Sequence, residues 1–153
     1  MNRAGTTLRL LLPVSVAAPG LARRNLDGVD ELGRYPDLLF AAQLLASELL
    51  ANSVRHAGLA TDEALMLSVE CGEETLRVEV TDGGAGFNAL GVLGEHSRRD
   101  QAYRGIYFVN ALADRWGFRR GEDGCHVWFE LDLVPGRRPW HGRERISETP
   151  AAQ

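Results

Sequence analysis

The stretch Glu48-Leu-Leu-Ala-Asn-Ser-Val-Arg-His56 closes the longest helical pattern in the chain. The pattern predicts a helix over Asp37–His56. It begins just after Pro36 and stops before Gly58, residues that favour a helix start and a helix end respectively. Most of this helix is apolar in every direction, so we expect it to be buried on more than one side.

Two apolar lines run along nearly opposite sides of this predicted helix. Either the sheet and the first helix of the fold cover both lines, or one line is a surface for a homodimer or another partner. The sequence leaves both possibilities open. The first line consists of Leu38, Ala42, Leu45 and Leu49, and the second of Phe40, Leu44 and Ala51.

Polar side chains interrupt the apolar surface in one narrow sector. Glu48, Asn52 and Arg55 share this sector because spacings of three and four place residues on the same helix face. The small Ala41 lies in the same sector and leaves room beside them. Two interpretations fit. Glu48 and Arg55 form a surface ion pair beside Asn52, or Glu48 is a general base next to an amide oxygen that binds a hard cation.

The rest of the pattern predicts an α+β fold, a two-layer sandwich with helices on one face of a mixed, mostly antiparallel sheet. A first helix is expected within Ala17–Leu32, with Arg23 and Arg24 on its exposed side, and a short helix at Arg104–Ala113. The predicted strands are Thr6–Leu12 at an edge, Leu65–Cys71 and Thr75–Thr81 as a hairpin, and Trp116–Arg120 and His126–Leu133 around a turn at Gly121–Gly124.

Length, charge and amino-acid composition limit the classes of protein to which this chain can belong. The 153 residues suit one domain, expected over residues 1–134, followed by a flexible Arg-, Pro- and Glu-rich tail over 135–153. The net charge of −4 argues against a general nucleic-acid or anionic-membrane binder. All 17 basic residues are arginine, which excludes a Walker A lysine and a lysine Schiff base.

The sequence also predicts a cytoplasmic protein. No run reaches the roughly 18 apolar residues that span a bilayer. The apolar run Leu10–Ala18 contains Pro13 and follows Arg9, and it fits an opening strand and turn better than a secretory signal. Cys71 and Cys125 have no metal-site spacing and are expected to be reduced thiols.

Two glycine-containing segments are candidates for ligand binding. Asp82-Gly-Gly-Ala-Gly86 follows a well-patterned strand, and its glycines permit close approach of a ligand to the backbone. Arg104-Gly105-Ile106 opens a helix, whose free N–H groups favour phosphate. Each segment alone is a weak signal, since Asp-Gly also makes simple turns.

Together these segments resemble the GHKL superfamily of ATPases, which includes gyrase-type and histidine-kinase ATPases. Glu48–Ala57 is similar to its N box, Asp82–Gly86 to its first glycine box, Arg104–Gly117 to its second, and Gly124–Leu131 to its closing strand. The order and spacing agree with the family from about Leu8 to Leu133. The Ala-Asp-Arg-Trp-Gly and Val-Trp-Phe-Glu-Leu phrases look most like the small anti-sigma-factor serine/threonine kinases.

The resemblance implies a Bergerat-type fold that binds ATP and Mg²⁺. Asn52 would coordinate the Mg²⁺ that bridges the phosphates, and Glu48 would take the proton from the attacking hydroxyl of a protein serine or of water. Asp82 would accept a hydrogen bond from the adenine amino group. Residues 88–103 would form a lid over the nucleotide, and His56 would be structural. The remaining expected nucleotide contacts are Gly84, Gly86, Arg104, Gly105, Ile106 and Cys125.

Two residues depart from the family pattern. Tyr103 stands two residues before Gly105, where the branch usually has glycine, and Cys125 stands where threonine is common. A thiol is a weaker hydrogen-bond partner than a hydroxyl. Both changes bear on how well the nucleotide is held and turned over.

Three functions follow as alternatives. The first is a kinase that phosphorylates an anti-sigma antagonist and sequesters a sigma factor. The second is a weakly active or inactive ATP-binding regulatory module that acts through partner binding. The third, the catalytic domain of a two-component sensor, needs a phosphoacceptor helix pair, for which the roughly 35 residues before the N-box helix are too few.

Overall fold

The computed structural model describes residues 5–56, 63–83, 104–122 and 124–134, without the side chains of residues 6, 56 and 104–107. Over these ranges three helical segments follow the first strand, and two pairs of strands separated by one helix come after them. The elements are β1 (Thr6–Pro13), α1 (Ala18–Asp27), a 3₁₀ helix (Asp30–Arg34), α2 (Pro36–His56), β2 (Ala64–Cys71), β3 (Thr75–Asp82), α3 (Arg104–Leu112), β4 (Arg115–Gly121) and β5 (Gly124–Asp132).

The five strands form one sheet in the order β1-β2-β3-β5-β4. All four pairings among these described strands are antiparallel, so the predicted α+β class is confirmed and the sheet contains no parallel pair. β1 lies at one edge, as predicted. The β2–β3 and β4–β5 hairpins are local, whereas β3 and β5 pair across a long stretch of sequence.

Helices cover the apolar face of the sheet, which alternation in β2 and β3 separates from the polar face. Leu76, Val78 and Val80 of β3 are buried toward the helices, while Arg77, Glu79 and Thr81 face the other way. Burial of this face supplies most of the hydrophobic stabilisation. The second face is open and polar.

Helix α2 is buried toward the sheet and toward the helices beside it, and only its outer side is open. Its first apolar line lies in the core, with no member more than 2% exposed. Of the second line, Phe40 is 54% exposed, and Leu44 and Ala51 are half-buried. The helix is thus buried on more than one side, as expected, but the sheet and the first helix do not cover the second line as they cover the first. The reason is architectural: the helices form a single layer, and the outer side of α2 has no further layer to pack against.

The first helix lies within the predicted range Ala17–Leu32 and occupies only part of it. Helix α1 ends at Asp27, where the N–H of Gly28 bonds to the carbonyl oxygens of Asn25 and Leu26. Val29 is then extended, and a separate 3₁₀ helix follows. Glycine is a poor helix former, which favours an end of the helix at Gly28. The chain changes direction there, and Leu26 and Leu32 on either side of the break are both buried in the core.

No helix in the ranges described above is long and apolar enough to cross a membrane.

A charged network crosses the open face of the sheet. Arg77 of β3 donates to Glu130 of β5 over 3.0 Å and to Glu79 over 3.2 Å. Arg115 of the edge strand β4 donates to Glu130 over 2.6 Å and also to Asp132. The network ties three neighbouring strands together. Because the side chains are partly solvated, each pair contributes little alone.

Trp128 lies flat on the open face between two strands. The guanidinium carbon of Arg77 lies 4.1 Å from its ring centroid, a cation–π contact. On the other side the ring covers Gly117 of the edge strand, where a Cβ would lie 2.8 Å from Cζ2 of the indole. An aromatic ring over a glycine protects an otherwise weak position in an edge strand.

We expect Gly117→Ala to lower the free energy of unfolding by about 1–3 kcal/mol, because the added methyl group overpacks against the Trp128 ring. Urea unfolding measures the change. Gly33→Ala is the control, since a Cβ there meets nothing within 4 Å and should change stability by no more than about 0.5 kcal/mol. Equal effects of the two substitutions would contradict the packing argument.

Candidate functional site

Asn52 of α2 is a buried amide that the fold itself does not satisfy. The residue is 1% exposed, and neither its amide nitrogen nor its amide oxygen has a hydrogen-bond partner. Within the described ranges these are the only fully buried side-chain nitrogen or oxygen atoms without one. An unsatisfied buried polar group costs roughly 1–3 kcal/mol, which native structures rarely tolerate without a functional reason. The amide is therefore available to a ligand.

Glu48 lies one helical turn before Asn52 on the same side of α2. It is half-buried. Among the described residues no ion pair joins it to Arg55, so the surface-pair interpretation of this sector is not observed. A carboxylate in this state can accept a proton or a hydrogen bond from a group brought to it.

Contacts with α1 fix the turn of α2 that precedes Glu48. Arg23 donates from Nη1 to the hydroxyl of Ser47 over 2.9 Å, and that hydroxyl donates to the carbonyl oxygen of Gln43 over 2.6 Å. The Gln43 amide donates to Asp27 over 2.8 Å. Sequence analysis placed Arg23 on the exposed side of its helix, which is correct, but gave no signal for this bond to a residue 24 positions away.

Asp82 and Cys125 face each other where β3 ends and β5 begins. They are register partners, and both side chains are buried, with Asp82 only 3% exposed. Burial raises the pKa of the Cys125 thiol, the Asp82 carboxylate raises it further, and Arg120 opposes them. The thiol is therefore protonated at neutral pH. Strand alternation points Asp82 toward the side of the sheet covered by α2, which packs on both β3 and β5.

Gly124 makes the close approach of the two strands possible. Its φ of +114° lies in a region that side chains rarely adopt, and a Cβ there would overlap the carbonyl oxygen of Asp82. Beside it, a Cβ at Gly83 would lie 3.9 Å from Oε2 of Glu63. Glu63 is thus a second carboxylate at this end of the sheet that sequence analysis missed, since it belongs to no recognisable motif.

Helix α3 begins at Arg104, as predicted. The backbone of Gly105 and Ile106 therefore lies in its first turn, where N–H groups have no partner within the helix. The helix packs against α2 and β4, and Trp116 Nε1 donates to Oδ1 of Asn110 over 3.0 Å. Several other predicted contacts lie outside the described residues: Gly84, Gly86, the 88–103 lid, and the side chains of His56, Arg104 and Ile106.

The structure thus brings the predicted residues together in two pairs. Glu48 and Asn52 share one turn of α2. Asp82 and Cys125 share one register position of the sheet on which α2 packs. A carboxylate, an unsatisfied amide and a buried aspartate are polar groups of the kind that fix the orientation of a ligand in a mostly apolar site.

Comparison with solved structures supports the fold. The chain matches the crystal structure of the RsbU and RsbW domains of Rv1364c from Mycobacterium tuberculosis with a TM-score of 0.60 and 18% sequence identity. The match covers 87% of this chain and 33% of that one, so the chain spans about a third of that structure. At this identity the likeness concerns the fold alone. A search of curated proteins finds no significant match.

Comparison with protein families identifies the chain. The model of the histidine kinase-like ATPase domain matches residues 15–131. This range runs from just before α1 to the next-to-last residue of β5 and includes both residue pairs described above, while β1 lies outside it. The chain therefore belongs to the family of histidine kinase-like ATPase domains.

Proposed function

We propose that this ATP-binding domain is a serine/threonine kinase that phosphorylates an anti-sigma antagonist and sequesters a sigma factor. The observation that carries the proposal is the buried Asn52 amide without a partner. Family membership supports ATP as the ligand. The RsbW domain named in the similar structure, an anti-sigma-factor kinase, supports the class of partner.

The chemistry of Asn52 fits a magnesium ion. Its amide oxygen is a hard, neutral donor of the kind Mg²⁺ accepts, and Mg²⁺ bound with nucleotide commonly takes few protein ligands because phosphates and water supply the rest. When bound, the ion would neutralise charge on the phosphates. Asn52 would hold it, and Asp82 would accept a hydrogen bond from the adenine amino group.

Glu48 would act as general base for the hydroxyl group that receives the phosphate. Its carboxylate accepts the proton of the attacking hydroxyl, which requires that no ion pair join it to Arg55, and none does among the described residues. The Arg23–Ser47 bond holds the preceding turn and so fixes where the carboxylate lies. Backbone N–H groups of Gly105 and Ile106 at the start of α3 would receive phosphate oxygens.

A second candidate is an ATP-binding regulatory module that transfers phosphate slowly or not at all. The state of Cys125 favours it. A thiol kept neutral by burial and by Asp82 gives a weaker hydrogen bond than a hydroxyl would, which would loosen the adenine end of the site. Either function implies a cytoplasmic location, because ATP and sigma factors are there. A homodimer remains compatible with both.

Glu48→Gln is expected to bind Mg·ATP as tightly as the native chain, within about threefold, and to lose about 10²–10⁴-fold in phosphoryl transfer, the contribution of a general base. Calorimetry measures binding, and single-turnover release of labelled phosphate to water measures transfer. Glu73→Gln, at an exposed residue in the turn between β2 and β3, is the matched control and should alter neither.

The outcomes separate the two candidates. Binding without transfer by the native chain would favour the regulatory module. Equal rates of phosphoryl transfer by the native chain and by Glu48→Gln would show that Glu48 is not the general base. A folded native chain that fails to bind Mg·ATP would overturn the proposal as a whole.

A further inference from the structure

The two edges of the sheet differ in how well they are protected from pairing with another chain. Natural edge strands commonly carry charged side chains, proline or bulges that prevent such pairing. β4 has three exposed arginines, Arg115, Arg119 and Arg120, among its seven residues. β1, at the other edge of the sheet that the described strands form, has eight residues and a single charge, Arg9, and it pairs with β2 without a bulge. The β1 edge therefore lacks the protection that β4 has.

The helices also leave the side chains of β1 incompletely covered. Leu8 and Leu10 lie on the helix-covered face and pack against the core, but they are only half-buried. Their register partners in β2, Val69 and Leu67, are at most 1% exposed. On the open face, Leu11 is 71% exposed. A strand added along this edge would therefore remove apolar surface from water on both faces of the sheet.

We propose that β1 pairs with β1 of a second copy of the chain, so that two five-stranded sheets join into one. A two-fold axis perpendicular to the sheet makes the two β1 strands antiparallel, which is how all the described strands pair. This pairing covers both weakly protected edges and leaves only β4 edges outside. Pairing of β1 with β4 would instead leave one β1 edge uncovered and would continue into a filament.

Alternation and charge select the register of this pairing. Opposite residues of antiparallel strands point to the same face, so a one-residue shift is excluded because it would mix the two faces. Arg9 opposite Arg9 of the second copy would bring like charges together. Of the other registers, the one centred on Leu10 opposite Leu10 pairs the longest part of β1, from Thr7 to Pro13. It places Arg9 opposite Leu11 of the second copy, where the methylene stem of the arginine covers the leucine.

The test measures self-association of the full chain by sedimentation velocity. So small an interface predicts a weak dimer, with a dissociation constant of about 10–100 µM. Leu11→Glu and Leu11→Arg change the same exposed residue, but the first places a carboxylate opposite Arg9 and the second a guanidinium. Leu11→Glu should dimerise about tenfold more tightly than Leu11→Arg, because two symmetry-related pairs change from repulsion to attraction.

Charge reversal is the control for the register. Arg9→Glu combined with Leu11→Arg restores opposite charges and should dimerise as tightly as Leu11→Glu, within about threefold. Arg9→Glu combined with Leu11→Glu places carboxylates opposite each other and should dimerise as weakly as Leu11→Arg. Phe40→Arg adds a positive charge on the outer side of α2 and should leave the dimer unchanged. Circular dichroism checks that each variant is folded.

Other results would overturn the inference. A native chain that stays monomeric up to about ten times the expected dissociation constant would show that β1 does not pair with itself. A dimer equally tight in Leu11→Glu and Leu11→Arg, or one lost in Phe40→Arg, would place the interface elsewhere. Assemblies that grow beyond two copies would contradict closed pairing through β1. None of these results bears on the proposed kinase function, because binding of Mg·ATP is measured separately.

Discussion

Replacing Asn52 with leucine is expected to abolish Mg·ATP binding and at the same time to make the protein more stable. The substitution removes two buried polar atoms that have no partner in the described fold and leaves an apolar side chain of similar size. Relief of that desolvation cost should raise the free energy of unfolding by about 1–2 kcal/mol. Loss of the amide removes the residue proposed to hold the metal.

Unfolding with and without ligand separates the two effects. At a Mg·ATP concentration 100 times the dissociation constant, the native chain should gain about 2.7 kcal/mol, and Asn52→Leu should gain nothing. Ser47→Ala is the matched control on the same helix. Its hydroxyl is bonded to Arg23 and Gln43, so its loss should cost about 1 kcal/mol and leave ligand stabilisation intact. A less stable Asn52→Leu variant that still binds ligand would show that the amide is structural.

Gly124→Ala is expected to lower the free energy of unfolding by about 3 kcal/mol or more. The strained φ of +114° costs about 1–3 kcal/mol for a residue with a side chain. Overlap of the new methyl group with the Asp82 carbonyl adds a further cost of about 1–3 kcal/mol. Because the overlap is with Asp82 itself, the variant should also bind Mg·ATP more weakly.

Gly20→Ala in α1 is the control for Gly124→Ala, because here the same substitution is expected to raise stability. A Cβ there meets only the end of the Arg23 side chain at 3.6 Å, and alanine is the better helix former, so stability should rise by about 0.5–1 kcal/mol. Denaturant unfolding of both variants gives the comparison. A Gly124→Ala variant within 1 kcal/mol of the native chain would show that β3 and β5 can separate here at little cost.

The sequence predicted the helices and strands well because the patterns that indicate each of them lie within the same segment of the chain. The alternation of β3 and the glycines of the β4–β5 turn needed no tertiary information. Pro36 marked the start of α2, which includes it. The Asp82–Gly86 and Arg104–Gly105 segments indicated a nucleotide site only in combination, through resemblance to a family that the family comparison then confirmed.

What sequence could not predict depends on contacts between distant residues. The end of α1 at Gly28 is set by where Leu26 and Leu32 find space in the core. The exposure of Phe40 depends on how many helical layers the fold has. The Arg23–Ser47 bond and the stacking of Trp128 on Gly117 join residues whose separation has no local signature.

The antiparallel seam between β3 and β5 also bears on how such domains can diversify. Asp82 and Cys125 meet across this seam, yet a long stretch of chain separates them. A one-residue slip at the seam would turn Asp82 to the opposite face of the sheet. The same slip would also expose Leu76, Val78 and Val80, which are buried in the core. Sequence changes in either strand must therefore keep this register, because the core and the candidate site both depend on it.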